Sequence, residues 1–125
     1  GHLVLLVEDD DSNCRLAAKM LEILGYRADC APHGVAAVKA FAPGKYAAVL
    51  MDVRMPLMDG IEATKKIREL ETSTGNRVPI IALTANAMPG DREICLAAGM
   101  DDFIAKPFRK DELAAKLAEF LGGPR

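Results

Sequence analysis

Apolar residues fall along this chain in two alternating patterns, solid runs of about five and stripes at helical spacing. Leu3-Val4-Leu5-Leu6-Val7 is a solid run ending at acids, which predicts a buried strand. Asp11 or Ser12 is placed to cap a helix whose stripe is Leu16, Ala17, Met20, Leu21 and Leu24, with Gly25 as its stop. Arg27 to Ala31 reads as a weaker strand. Val35, Val38 and Phe41 mark a short helix that Pro43-Gly44 ends. Tyr46 to Met51 is a second continuous apolar strand, and Ile61, Ile67 and Leu70 share one face of a third helix. The polar segment Thr72 to Arg77 predicts a loop, and Pro79 to Leu83 a strand. Asp91 to Ala98 predicts a helix closed by Gly99, and Phe103 to Ala105 a fifth strand. Leu113, Leu117, Phe120 and Leu121 are the stripe of a last helix.

Five βα units follow from this reading. Strands that are apolar at every position are buried on both faces, which predicts an α/β fold: a five-stranded parallel sheet with helices on both faces. Right-handed crossovers leave few topologies. Of the two common doubly wound orders, five strands fit the flavodoxin-like order 2-1-3-4-5, with the ligand at the carboxyl ends of the strands near the point where the order reverses.

The residues at those ends are polar. Glu8 and Asp9 end the first strand, Asp52 the third, Thr84 the fourth and Lys106 the fifth. In the order 2-1-3-4-5 the first and third strands are neighbours, so Glu8 and Asp9 face Asp52. Three carboxylates share such a pocket only with a cation among them or with some of them protonated. An all-oxygen set favours a hard ion, Mg²⁺ or Mn²⁺ before Zn²⁺. Asp10 and Asp11 belong to the following turn and helix start, where capping and solvation are their expected roles. A hard cation beside a carboxylate, a lysine and a hydroxyl suits phosphoryl transfer, with Asp52 able to act as nucleophile and form an acyl phosphate. Each residue alone has a plainer reading. Glu8 and Asp9 solvate a strand end, Thr84 serves a turn or cap, Lys106 is a surface lysine, Phe103 is core and Asp101 is a turn residue. Their joint placement on one rim favours the chemistry.

The bulk numbers narrow the classes. At 125 residues, the chain is one domain with a real core, and its net charge of −2 makes no case for nucleic acid as a direct partner. No apolar run approaches the roughly 18–20 residues of a membrane span. Gly1-His2 reads as an expression scar. Cys14, Cys30 and Cys95 lie far apart with no CxxC, so they are expected to be reduced and mostly buried, as suits a cytoplasmic setting.

The sequence resembles the receiver domain of two-component response regulators. The resemblance rests on Leu5-Leu6-Val7-Glu8-Asp9, on Met51-Asp52-Val53-Arg54-Met55-Pro56 with Asp59-Gly60, on Ala82-Leu83-Thr84-Ala85 and on Lys106-Pro107-Phe108. It covers about residues 3 to 121, with 122–125 left as a tail or linker. It implies that Asp52 accepts a phosphoryl group from the phosphohistidine of a histidine kinase or histidine phosphotransfer domain. It also implies that Asp9, Asp52 and the backbone carbonyl of Arg54 bind Mg²⁺, with Glu8 helping through water. Thr84, the amide of Ala85 and Lys106 would hold the phosphoryl oxygens. Phe103 occupies the aromatic switch position, and Lys106-Pro107 would be a cis peptide. Arg54 and Asn86 stand where the family tunes acyl-phosphate lifetime, Arg54 by shielding and Asn86 by orienting water. Leu83-Thr84-Ala85-Asn86-Ala87-Met88 and Gly99-Met100-Asp101-Asp102-Phe103 look most like receivers fused to hybrid sensor histidine kinases; the alternative is a free-standing regulator. Two other classes compete. A haloacid-dehalogenase-like phosphohydrolase would want an Asp where Arg54 stands, and a flavodoxin-like nucleotide or flavin binder would want a Gly- or Ser/Thr-rich loop where Glu8 to Asp11 stand.

Overall fold

The computed structural model describes residues 3–42, 44–52, 60–72, 74–75, 77–84, 89–105 and 109–121. Strand and helix alternate along the chain: β1 (Leu3–Val7), α1 (Asp11–Ile23), β2 (Arg27–Ala31), α2 (Gly34–Ala40), β3 (Ala48–Asp52), α3 (Gly60–Glu71), β4 (Ile80–Thr84), α4 (Pro89–Ala98), β5 (Asp102–Ala105) and α5 (Lys110–Leu121). The strands form one sheet in the order β2-β1-β3-β4-β5, and every neighbouring pair is parallel. The expected α/β order is the observed one.

Alternation along the strands divides the core in two. Val4, Leu6, Ala48, Leu50, Ile81, Leu83 and Ile104 face α1 and α5, meeting Cys14, Ala17, Leu21, Leu113 and Leu117. Leu5, Val7, Val49, Met51, Ile80 and Ala82 face the other way, against Ala37 of α2, Ala63 and Ile67 of α3 and Cys95 of α4. All five residues of β3 and of β4 are buried, which is why these strands read as solid apolar runs. Each large side chain so buried contributes about 1.5–3 kcal/mol.

Several boundaries and faces differ from the sequence pattern. β3 begins at Ala48 rather than Tyr46, and the buried Tyr46 instead donates its hydroxyl to Asp29 Oδ2 at 2.9 Å. Asp11 is the first residue of α1, and Asp10 is its cap, accepting the Asn13 N–H at 3.1 Å. α4 begins at Pro89, two residues before the expected start. Leu16 and Leu70, expected on buried stripes, are 59% and 41% exposed. The buried stripe of α1 is Cys14, Ala17 and Leu21, and Leu16 lies half a helical turn from it. That of α3 is Gly60, Ala63, Thr64, Ile67 and Glu71, with Leu70 at its edge, about 100° round the helix from Glu71. Cys14 and Cys95 are buried as expected, but Cys30 is exposed because β2 is an edge strand. Among the described residues, no helix is long and apolar enough to cross a membrane.

Candidate functional site

Strand register decides which side chains meet at the carboxyl rim. Val7 pairs with Met51, so the chain leaves β1 into Glu8 and Asp9 beside Asp52, the last residue of β3. Asp52 pairs with Leu83, which puts Thr84 one step beyond on β4, and Thr84 pairs with Ala105 of β5. The rim is therefore stepped, with acids at its centre and a hydroxyl on the next strand.

Glu8, Asp9 and Asp52 each offer a carboxylate oxygen, and these oxygens all lie within 4.8 Å of one another. Glu8 and Asp52 are buried, at 4% and 6% exposure, while Asp9 is exposed. Backbone holds the cluster in place. The Glu8 N–H donates to the Ala31 carbonyl at 3.1 Å, anchoring the acidic turn to β2, and the Asp10 N–H donates to Glu8 Oε1 at 3.3 Å. Asp10 caps α1 through its own side chain. Asp11 turns outward to Arg15, Oδ2 to Nε at 3.0 Å, with both side chains largely exposed. The four-acid run is thus split, two acids to the cluster and two to the helix start, as its sequence position suggested.

The donor set is three carboxylates with neither imidazole nor thiolate, and its oxygens are close enough to share one ion. That fits a hard divalent cation and disfavours a soft one. An oxygen-bound cation at a strand rim, with a hydroxyl one strand away, neutralises and orients a phosphoryl group.

Thr84 is buried at 8% exposure at the end of β4. Phe103 is half-buried on β5 opposite Ala82, and packs against the core on the α2, α3 and α4 face. A core role and a switching role for Phe103 are both compatible with that position. Arg54, Ala85, Asn86, Lys106 and the Lys106-Pro107 bond lie outside the described residues. Backbone contributions were not legible in the sequence. That Ala31 anchors Glu8 depends on the register of β1 with β2, and apolar pattern leaves register open.

A family model described as the response regulator receiver domain matches residues 4–118. The hybrid signal transduction histidine kinase B of Dictyostelium discoideum is 42% identical over 123 residues, covering 91% of this chain and 6% of its own. The two-component system protein A of Emericella nidulans is 44% identical over 122 residues, covering 95% of this chain and 17% of its own. The chain thus spans only a small part of the curated relatives it matches. Among solved structures, the receiver domain of a sensor histidine kinase from Pseudomonas aeruginosa PAO1, with magnesium coordinated in its active site cleft, superposes with a TM-score of 0.87. It is 48% identical, and the match covers 98% of this chain and 99% of that one. The receiver domain of a Saccharomyces cerevisiae response regulator, crystallised with a histidine phosphotransfer signalling protein, gives a TM-score of 0.89 at 31% identity, over 95% of this chain and 88% of that one.

Proposed function

Because the chain belongs to the response regulator receiver domain family, we propose that it is the phosphoacceptor domain of a two-component phosphorelay in which Asp52 takes the phosphoryl group. The observation that carries this reading is the convergence of Glu8, Asp9 and Asp52 within 4.8 Å at the carboxyl ends of β1 and β3, with Thr84 on the adjoining strand.

An Asp52 carboxylate oxygen attacks the phosphorus of a phosphohistidine. The new O–P bond forms as the P–N bond breaks, and the imidazole leaves with the bonding pair. Asp9, Asp52 and the Arg54 carbonyl would hold Mg²⁺, with Glu8 helping through water; Mn²⁺ suits the same donors. The ion supplies neutralisation of the charge on the phosphoryl oxygens. Thr84, through its hydroxyl, Ala85, through its amide, and Lys106 donate hydrogen bonds to those oxygens. Thr84 moves toward the phosphoryl group, and Phe103 follows into the space behind it. The partners are a histidine kinase or a histidine phosphotransfer domain. Residues 3–121 act as the receiver unit, in agreement with β1 beginning at Leu3 and α5 ending at Leu121. We read the parent chain as a hybrid histidine kinase. The setting is the cytoplasm, as suits three widely spaced cysteines with no CxxC.

The rival readings lose their footing at particular residues. Arg54 occupies the position where a haloacid-dehalogenase-like enzyme needs its second Asp. The buried carboxylate of Glu8 stands where a flavodoxin-like binder would need amides for phosphate. The test is covalent labelling by acetyl phosphate or phosphoramidate in Mg²⁺. Wild type gains one phosphoryl group per chain and Asp52→Asn gains none while keeping its circular dichroism. Undiminished labelling of Asp52→Asn removes Asp52 from the mechanism.

A further inference from the structure

The three cysteines occupy unlike environments. Cys95 is buried on α4, in the core facing α2, α3 and α4. Cys14 is buried in the first turns of α1, in the opposite core, alongside Leu6. Cys30 is exposed on the edge strand β2, where it pairs with Leu6. Paired residues in a parallel ladder share a face, and Ala28, two residues before Cys30, packs against the same core as Cys14. Cys30 and Cys14 therefore meet where α1 crosses the sheet margin. The Cys30 thiol donates to the Cys14 carbonyl oxygen at 4.0 Å, which sets the exposed sulfur against the residue that carries the buried one.

We propose that Cys30 is an oxidation site whose product is an intrachain disulfide with Cys14, tying α1 to the edge strand β2. The proposal does not depend on the phosphoacceptor reading. It rests on contact between the exposed Cys30 sulfur and the backbone of the buried Cys14 on a facing element, with the third cysteine on the far side of the sheet.

The chemistry needs a hydroperoxide, and the exposed sulfur is the one that meets it. With hydrogen peroxide, Cys30 attacks one peroxide oxygen; the S–O bond forms as the O–O bond breaks, leaving Cys30 as a sulfenic acid and releasing water. Cys14 then attacks the Cys30 sulfur. The S–S bond forms as the S–O bond breaks, and the hydroxyl leaves with the Cys14 proton as a second water. Burial pushes the Cys14 thiol up to about 12, and Cys30 adds to the push through its hydrogen bond and its charge. In the reduced protein Cys14 is thus held as a thiol while Cys30 reacts first. The exposed position of Cys30 leaves its side chain room to rotate onto Cys14.

The bridge would close a loop between positions 16 apart in sequence. Restricting the unfolded chain in that way raises the melting temperature by about 10 °C.

The test treats the reduced full chain with stoichiometric hydrogen peroxide, followed by intact mass, non-reducing electrophoresis and peptide mapping. The expected product is a monomer lacking two hydrogens, with one cross-linked peptide pair joining Cys14 to Cys30. It melts higher than the reduced protein and returns to it with dithiothreitol. Cys30→Ser, a change at an exposed site, should keep its reduced melting temperature and lose the cross-link. The proposal is overturned if Cys30 stops at a sulfinic acid, pairs with another chain or with Cys95, or fails to react, or if Cys30→Ser still loses two hydrogens.

Discussion

Arg68 on α3 donates from Nη2 to Asp101 Oδ2 at 2.9 Å, joining α3 to the turn that enters β5. The same carboxylate accepts the Ile80 N–H at 2.9 Å and an Arg77 Nη2–H at 2.9 Å. Arg68 also reaches the Gly99 carbonyl at 2.9 Å, the Val78 carbonyl at 2.8 Å and Glu71 at 2.6 Å. Its side chain runs against Gly99, where φ is +112° and an added Cβ would lie 3.0 Å from Arg68 Cγ. Asp101 is thus a mostly buried joint rather than a simple turn residue. Its removal leaves Arg68 with one carboxylate and an unpaired Ile80 N–H. Asp101→Ala should cost about 2–4 kcal/mol, measured by urea denaturation. The joint sits at the amino ends of β4 and β5, away from the acidic rim, so labelling of Asp52 under folding conditions should be unchanged.

Magnesium should stabilise the fold, because it relieves repulsion among Glu8, Asp9 and Asp52 and binds only the native arrangement. At a hundredfold excess over Kd the gain is about 2.7 kcal/mol. Melting temperature should rise with Mg²⁺ concentration and fall back on chelation with EDTA. Asp9→Ala should flatten this dependence most, because Asp9 is proposed as a direct ligand. Equal Mg²⁺ dependence in Asp9→Ala and wild type would contradict the assignment.

The proposed switch couples Thr84 to Phe103, which lie on the adjoining strands β4 and β5. Beryllofluoride, which stands in for the phosphoryl group, should shift amide resonances on α4, β5 and α5 while leaving those of α1 largely in place. Two states separated by a few kcal/mol suffice for this. Thr84→Ala should reduce the shifts on β5. Beryllofluoride binding without any shift there would refute the coupling.

For acyl-phosphate lifetime, we expect shielding by Arg54 to outweigh water orientation by Asn86. Excluding a nucleophile blocks every approach, whereas orienting it assists one. Decay measured in excess Mg²⁺ after donor removal should be about two- to tenfold faster in Arg54→Ala, within the span of a 1.4 kcal/mol barrier change. It should be modestly slower in Asn86→Ala. Unchanged or slower decay in Arg54→Ala would defeat the shielding idea and leave the role of Asp52 intact.

Alkaline pH should expose the burial of Tyr46. Burial, then the hydrogen bond to Asp29 and that residue's charge, push the phenol from an ordinary 10 to about 12. The folded state keeps a proton that the unfolded state has lost. The resulting stability is fully present below pH 10 and is lost as pH rises toward 12. At pH 11 the loss is about 1.4 kcal/mol relative to neutral pH. Urea midpoints at pH 8 and pH 11 should therefore draw closer together in Tyr46→Phe than in wild type.

The sequence by itself determined the alternation of strand and helix, the parallel sheet and the rim on which the acids stand. Those features follow from local period and composition, since a strand buried on both faces is apolar at every position and a helix shows one stripe. Tertiary structure decided everything that depends on register and rotation. Strand order already predicted that Glu8 and Asp9 face Asp52, but register brought their oxygens within 4.8 Å and gave Glu8 its backbone anchor at Ala31. Rotation about α1 buried Cys14 and turned Leu16 to solvent, although both belong to the same helix. The meeting of Arg68 with Asp101, 33 positions apart, left no trace in the pattern. Periodicity records which face of an element is buried, but which side chains touch depends on how separate elements are packed against one another.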